Sequence, residues 1–146
     1  MKLQFGGGPH LLPGYTRVDV RQQRAVDVPW NLNDLPWPLD DDRVRMIVAS
    51  NVVEQLELNL VKFCEEAWRV LKPGGELFIR TPHHDGAQSW IDPQHRWHLH
   101  ERSFEYFDPQ TELGRQHPHY TSKKWQILSL GIRQTQQIHV LMTPRK

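Results

Sequence analysis

The sequence predicts an α/β fold: a mostly parallel sheet that ends in an antiparallel C-terminal strand pair and has little helical cover. Three observations lead there. Candidate elements run strand, strand, strand, strand, helix, strand, the order of a sheet whose crossovers return strands in parallel. Met46-Ile47-Val48-Ala49-Ser50 is almost continuously apolar, as a buried parallel strand must be. The first connections are short. Between Phe5 and Arg17 there is barely room for a helical crossover, and two of the residues there are prolines; between Val20 and Ala25 there is no room at all.

Leu3 and Phe5 alternate with Lys2 and Gln4 as a short strand would, and Gly6, Gly7 and Gly8 follow it. Thr16-Arg17-Val18-Asp19-Val20 is the second strand, with Asp19 near its end, and Ala25-Val26-Asp27-Val28 is the third. The stretch from Pro29 to Asp42 holds three prolines and a run of acids, so it is a loop. Leu60, Val61, Cys64, Ala67, Trp68 and Leu71 recur at helical spacing. Asn59 caps that helix and Lys72-Pro73-Gly74-Gly75 ends it. Glu76 to Arg80 is the next strand. A helix is expected near Glu101 to Phe107, and an antiparallel pair from Trp125 to Leu130 and from Gln137 to Met142. Residues 1–146 read as one domain without repeats.

Composition narrows the function classes. A net charge of +1 gives no nucleic-acid footprint. The single cysteine, Cys64, excludes a disulfide or a cysteine zinc site within one chain. No apolar run approaches the roughly 18 residues of a membrane span, and the first residues lack a signal-peptide pattern. A soluble, cytoplasmic domain without nucleic-acid or membrane partners is therefore expected. Tryptophans, histidines and prolines gather in the middle of the chain, where loops carry the site.

Glycine suits a backbone that takes positive φ or passes close to a ligand. A strand running into such a loop, followed by a strand with an acid near its end, is a nucleotide-site arrangement, although the same run also suits a plain turn. Asp19 there can accept hydrogen bonds from both hydroxyls of a ribose. Downstream, His83-His84-Asp85 follows the fifth strand, and Asp92, His95, His98 and His100 come soon after. These groups suit a metal, a substrate mouth or an exposed loop. Their spacing matches no compact metal motif, so no metal is expected. His95 and His83, with Asp92, are the candidate catalytic groups, because imidazole titrates near neutrality and both histidines follow a strand's carboxyl end. Trp90 and Trp97 beside them suit a sugar or aromatic acceptor.

LQFGGG, TRVDV, VRMIVASNVVEQL with the helix after it, and AWRVLKPGGELFIRTP stand in an order that resembles the class I S-adenosylmethionine-dependent methyltransferases, in particular small, truncated members. The resemblance implies a Rossmann-like sheet, S-adenosyl-L-methionine as cofactor and methyl transfer to a small-molecule or glycan acceptor. It also implies residue roles. Gly6, Gly7 and Gly8, with Phe5 before them, match the loop under the methionine part of the cofactor. Asp19, with Val20 beside it, matches the ribose-binding acid. Asn31-Leu32 matches the adenine position, and Ser50 with Asn51 lies beside the reactive methyl. The chain departs from the pattern at Gly7, often cysteine in relatives, at Arg45, usually an acid, and at Asn51 and Gln55, often histidines flanking the acid here kept as Glu54. A cofactor-binding or scaffold protein without activity is the alternative these departures favour. The short connections leave part of a sheet face bare, and a homodimer that packs such faces together is expected.

Overall fold

The computed structural model describes residues 1–6, 8, 10–20 and 27–146. Gly7, the Arg21-Gln22-Gln23-Arg24 connection, and Ala25 and Val26 of the expected third strand lie outside the described residues. The elements are β1 (Lys2–Gly6), β2 (Thr16–Asp19), β3 (Val28–Pro29), β4 (Val44–Ser50), α1 (Leu60–Val70), β5 (Leu71–Pro82), α2 (Gln88–Ile91), α3 (Glu112–Gln116), β6 (Trp125–Arg133) and β7 (Gln137–Pro144). Short 3-10 turns lie at Val53–Gln55, Glu101–Phe107, Pro118–Tyr120 and Gln134–Gln136. No described helix is long and apolar enough to cross a membrane.

One seven-stranded sheet carries the fold, in the order β3-β2-β1-β4-β5-β7-β6. Strands β1 to β5 pair in parallel; β7 joins β5 antiparallel and β6 joins β7 antiparallel. This is the expected Rossmann-like sheet with its reversed C-terminal pair. Register assigns the faces, since side chains alternate along each strand. Leu3, Ile47, Leu77 and Met142 form one crosswise row, and Val18, Phe5, Ala49, Ile79 and Val140 form the next on the same side. All nine are buried, and with Phe63, Cys64, Ala67 and Val70 of α1 they make the core. Burial raises the Cys64 thiol pKa well above its ordinary value, so this cysteine is an apolar core residue. Asn59 caps α1 as expected, its side chain accepting from the Lys62 amide.

The proline-rich loop after β3 covers the core side of the first strands. Trp37 is buried there, edge-on to Phe5 at 5.0 Å and to Phe63 at 5.5 Å, while Trp30 packs at the margin. Arg69 of α1 fastens the loop by donating to Leu39 O, Trp37 O and the Asp41 carboxylate, while Glu66 accepts both from Arg69 and from the Trp37 amide.

The opposite face stays open. Val48, Phe78 and Leu141 stand on it half-buried. Gln4 of β1, on the same side, does part of the work of the missing crossover. Its side-chain amide donates to His10 O at 2.6 Å and its oxygen accepts from the Leu12 amide at 2.8 Å, which ties His10 and Leu12 down onto the strand. Val20, expected to alternate with Val18 in the second strand, is corrected. It lies past the end of β2 and is 63% exposed. The Glu76 start expected for β5 is also late by five residues: Leu71 pairs with Val44, and the Pro73-Gly74-Gly75 turn is an irregularity inside the strand, with Gly74 at φ 74°. The helix expected over Glu101–Phe107 has those bounds but 3-10 form, with His100 and Ser103 capping its start.

Candidate active site

Five side-chain positions line up across the open face at the carboxyl ends of the parallel strands. Gly6 of β1 faces Ser50 of β4, Ser50 faces Arg80 of β5, and Arg80 faces His139 of β7. Asp19 ends β2 on the same side. All five line one cleft of about 1150 Å³, which continues down the uncovered face past Met46, Val48 and Phe78. Open α/β sheets bind ligands at this edge. The cleft is large because no described helix covers the face.

The glycine loop is built for close approach. Gly6 sits at φ 66°, and a Cβ there would lie 2.5 Å from Val52 Cγ2, so only glycine fits. Gly8, at φ 57°, faces open space within 4 Å. Its carbonyl accepts from the buried Arg17 guanidinium, which fixes the loop from below. On the far side of the loop, Asp19 O accepts from the Trp30 amide at 3.1 Å, which brings Asn31 and Leu32 to the cleft wall beside Val20. Asn33 then ties this wall to the segment after β4, accepting from the Glu57 and Leu58 amides. Asn51 lies at φ 54°, and its buried Oδ1 has no hydrogen-bond partner. An orphaned acceptor in the cleft wall is what a donor-bearing ligand satisfies.

The structure therefore gathers Gly6, Gly8, Asp19, Val20, Asn31, Leu32, Ser50 and Asn51 around one cleft. It does not bring Phe5 with them. Phe5 is fully buried against Trp37 and Phe63, because strand alternation turns it to the core side.

His83, His95 and Asp92 do not line this cleft either. The His95 ring is buried 4.0 Å from the Glu54 carboxylate and 3.5 Å from that of Asp92. Glu54 is the anchor of this loop: its carboxylate accepts from Thr81 at 2.9 Å and its carbonyl from the Arg96 and Trp97 amides. Burial raises the Glu54 pKa, against the opposing effects of its backbone hydrogen bond, Thr81 and His95. His83 Nε2 lies 2.8 Å from Glu101. Trp97 donates to Leu56 O, and the exposed Trp90 stacks on His98, both outside the cleft.

His83, His84 and His100 converge, with one ligand atom from each within 4.8 Å of the others. Their hydrogen bonds oppose metal ligation. Nδ1 of His83 accepts from the Asp85 amide and Nδ1 of His100 from the Arg102 amide, so each neutral ring carries its proton on Nε2. His83 gives that proton to Glu101, and the cluster is a hydrogen-bonded clasp between β5 and the Glu101–Phe107 turn.

Two cleft residues were missed from the sequence. Arg80 and His139 sit on strands 59 positions apart and meet only through the β5–β7 register. Of the nine histidines, His139 and His10 line the cleft. Burial lowers the His139 pKa below the ordinary histidine value, with Arg80 and Arg133 pushing the same way, so the ring is neutral near pH 7.

Comparison with known proteins agrees with this geometry. A family model described as a methyltransferase domain matches residues 15–79. A protein of Mycolicibacterium smegmatis named a probable S-adenosylmethionine-dependent methyltransferase is 33% identical over 90 residues, which is 59% of this chain and 31% of that protein. The chain thus spans about a third of that relative's length. Among solved structures, an S-adenosylmethionine-dependent methyltransferase from Mesorhizobium loti superposes with a TM-score of 0.64 at 11% identity, covering 98% of this chain and 89% of the other. A SAM-dependent methyltransferase from Archaeoglobus fulgidus gives 0.64 at 13% identity, covering 97% and 84%. At these identities the structures share the fold.

Proposed function

We propose that this chain is a class I S-adenosylmethionine-dependent methyltransferase, a reading supported by the matched methyltransferase-domain model and the similar proteins, and that it holds S-adenosyl-L-methionine in the cleft and transfers its methyl group to a small-molecule or glycan acceptor. The observation that carries the reading is the row Asp19, Gly6, Ser50, Arg80 and His139 across one open sheet edge. Asp19 takes the ribose hydroxyls, the backbone at Gly6 and Gly8 passes under the methionine part, and Asn31 with Leu32 borders the adenine. When bound, the cofactor supplies a sulfonium methyl that needs only an in-line nucleophile. Ser50 and Asn51 border the methyl, and one and two strands further Arg80 and His139 face the acceptor. His139, neutral and in the cleft, is the group placed to take the acceptor's proton on a ring nitrogen.

On this reading His95 and His83 are positioning residues. They hold the 92–100 segment through Glu54 and Glu101. His95→Ala and His83→Ala are expected to leave cofactor affinity within about twofold while lowering thermal stability, whereas His139→Ala lowers turnover without lowering affinity. Release of S-adenosylhomocysteine from methyl-labelled cofactor, screened against sugar and small-molecule acceptors, tests the activity. Cofactor binding with no release for any acceptor supports the inactive alternative instead.

The open face beyond the cleft also supports a homodimer, since Leu141 stands half-buried there. Light scattering at micromolar concentration is expected to give twice the 17.3 kDa chain mass. A species of single-chain mass at all concentrations contradicts it.

A further inference from the structure

We infer that the acceptor carries an anionic group, a carboxylate or a phosphate, and that Arg80 binds it; the inference rests on the cofactor reading above. Arg80 stands at the carboxyl end of β5 and lines the cleft. Its Nε is buried without a hydrogen-bond partner, and no described carboxylate lies within ion-pair distance of its guanidinium. Of the other arginines that reach inward, Arg69 binds Glu66 and Asp41, Arg145 binds Asp108, and Arg17, whose Nε is likewise unpartnered, donates from its guanidinium to Gly8 O outside the acceptor end of the cleft. A desolvated donor left unmatched in a polar cleft is costly unless a ligand completes it.

The surroundings favour an anion. Arg133 lies close enough to add to the positive field at His139, and neither Arg80 nor Arg133 forms a described ion pair. A guanidinium presents a planar fork that matches a carboxylate or phosphate in two hydrogen bonds. Position separates this anion from the cofactor's ribose end. Strands in a sheet lie about 4.8 Å apart, so Arg80 of β5 is three strands, roughly 14 Å, from Asp19 of β2 across the row. With the methyl bordered by Ser50, the next strand outward is where a nucleophile in line with the sulfonium belongs. An anion held on Arg80 beside His139 keeps the reacting end of the acceptor within reach of both the methyl and the base.

Inorganic phosphate and acetate are the probes, titrated separately into the protein saturated with S-adenosylhomocysteine and followed through the Arg80 Nε–H resonance. One of the two anions is expected to shift that resonance, and Arg80→Gln should weaken its binding at least tenfold. Arg80→Lys, which keeps the charge and the fold, should lose part of it. S-adenosylhomocysteine affinity should stay within twofold in both variants. Equal anion affinity in wild type and Arg80→Gln overturns the inference. So does a large loss of S-adenosylhomocysteine affinity in Arg80→Gln, since Arg80 would then be reading the cofactor's own carboxylate. Cofactor failure is told apart by Asp19→Ala, which should abolish or weaken cofactor binding yet leave phosphate and acetate affinity unchanged.

Discussion

Replacing Trp37 by alanine is expected to lower the unfolding free energy by about 3–5 kcal/mol, the scale of a buried aromatic removed from a core. The side chain is 2% exposed and forms an edge-on triad with Phe5 and Phe63. Its indole N–H donates to Leu32 O at 3.1 Å, so the substitution also leaves a carbonyl of the cofactor wall without its donor. Trp30 and Leu39 of the same loop pack beside it at the margin of the core. A domain of this kind is stable by only about 5–15 kcal/mol in total, so the loss is a large part of it. Urea unfolding measures it directly. A loss below about 1 kcal/mol, the size of a surface change, contradicts the lid role given to this loop. Since Leu32 is positioned by the same hydrogen bond, cofactor affinity is expected to fall along with stability.

Asp19→Ala is expected to weaken S-adenosylmethionine binding by about 1.5–3 kcal/mol, roughly 10- to 150-fold, as when a charged acceptor of two hydroxyl donors is removed. Asp19 is half-buried at the end of β2, in the row that holds Gly6 and Ser50. Its own backbone carbonyl holds Trp30 through the main chain, which the substitution preserves. Urea unfolding of the same variant separates a loss of affinity from a loss of stability. Equal affinity in wild type and variant removes Asp19 from the site.

What the sequence made legible follows from which forces are local. The strand ending in Phe5, the run Met46 to Ser50 and the helix capped by Asn59 are set by periodicity and capping, and each has its counterpart in the structure. Short elements escaped. The five-residue helix capped by Thr111 and the turn at Gln88–Ile91 carry no usable period. The parity of Phe5 with Leu3 turns its side chain to the core side, away from the cleft. The histidines were read by their place in the chain, whereas tertiary contacts decide their roles: Glu54 fixes His95, and Glu101 fixes His83. Arg80 and His139 were out of reach because only strand register joins them. Gly7 lies outside the described residues.

The most direct test is a calorimetric titration of S-adenosylhomocysteine into the wild-type protein. The arrangement of Gly6, Gly8, Asp19 and Asn31 around one cleft predicts one site per chain with a micromolar dissociation constant. No detectable heat and no change in thermal stability at millimolar ligand contradict the account.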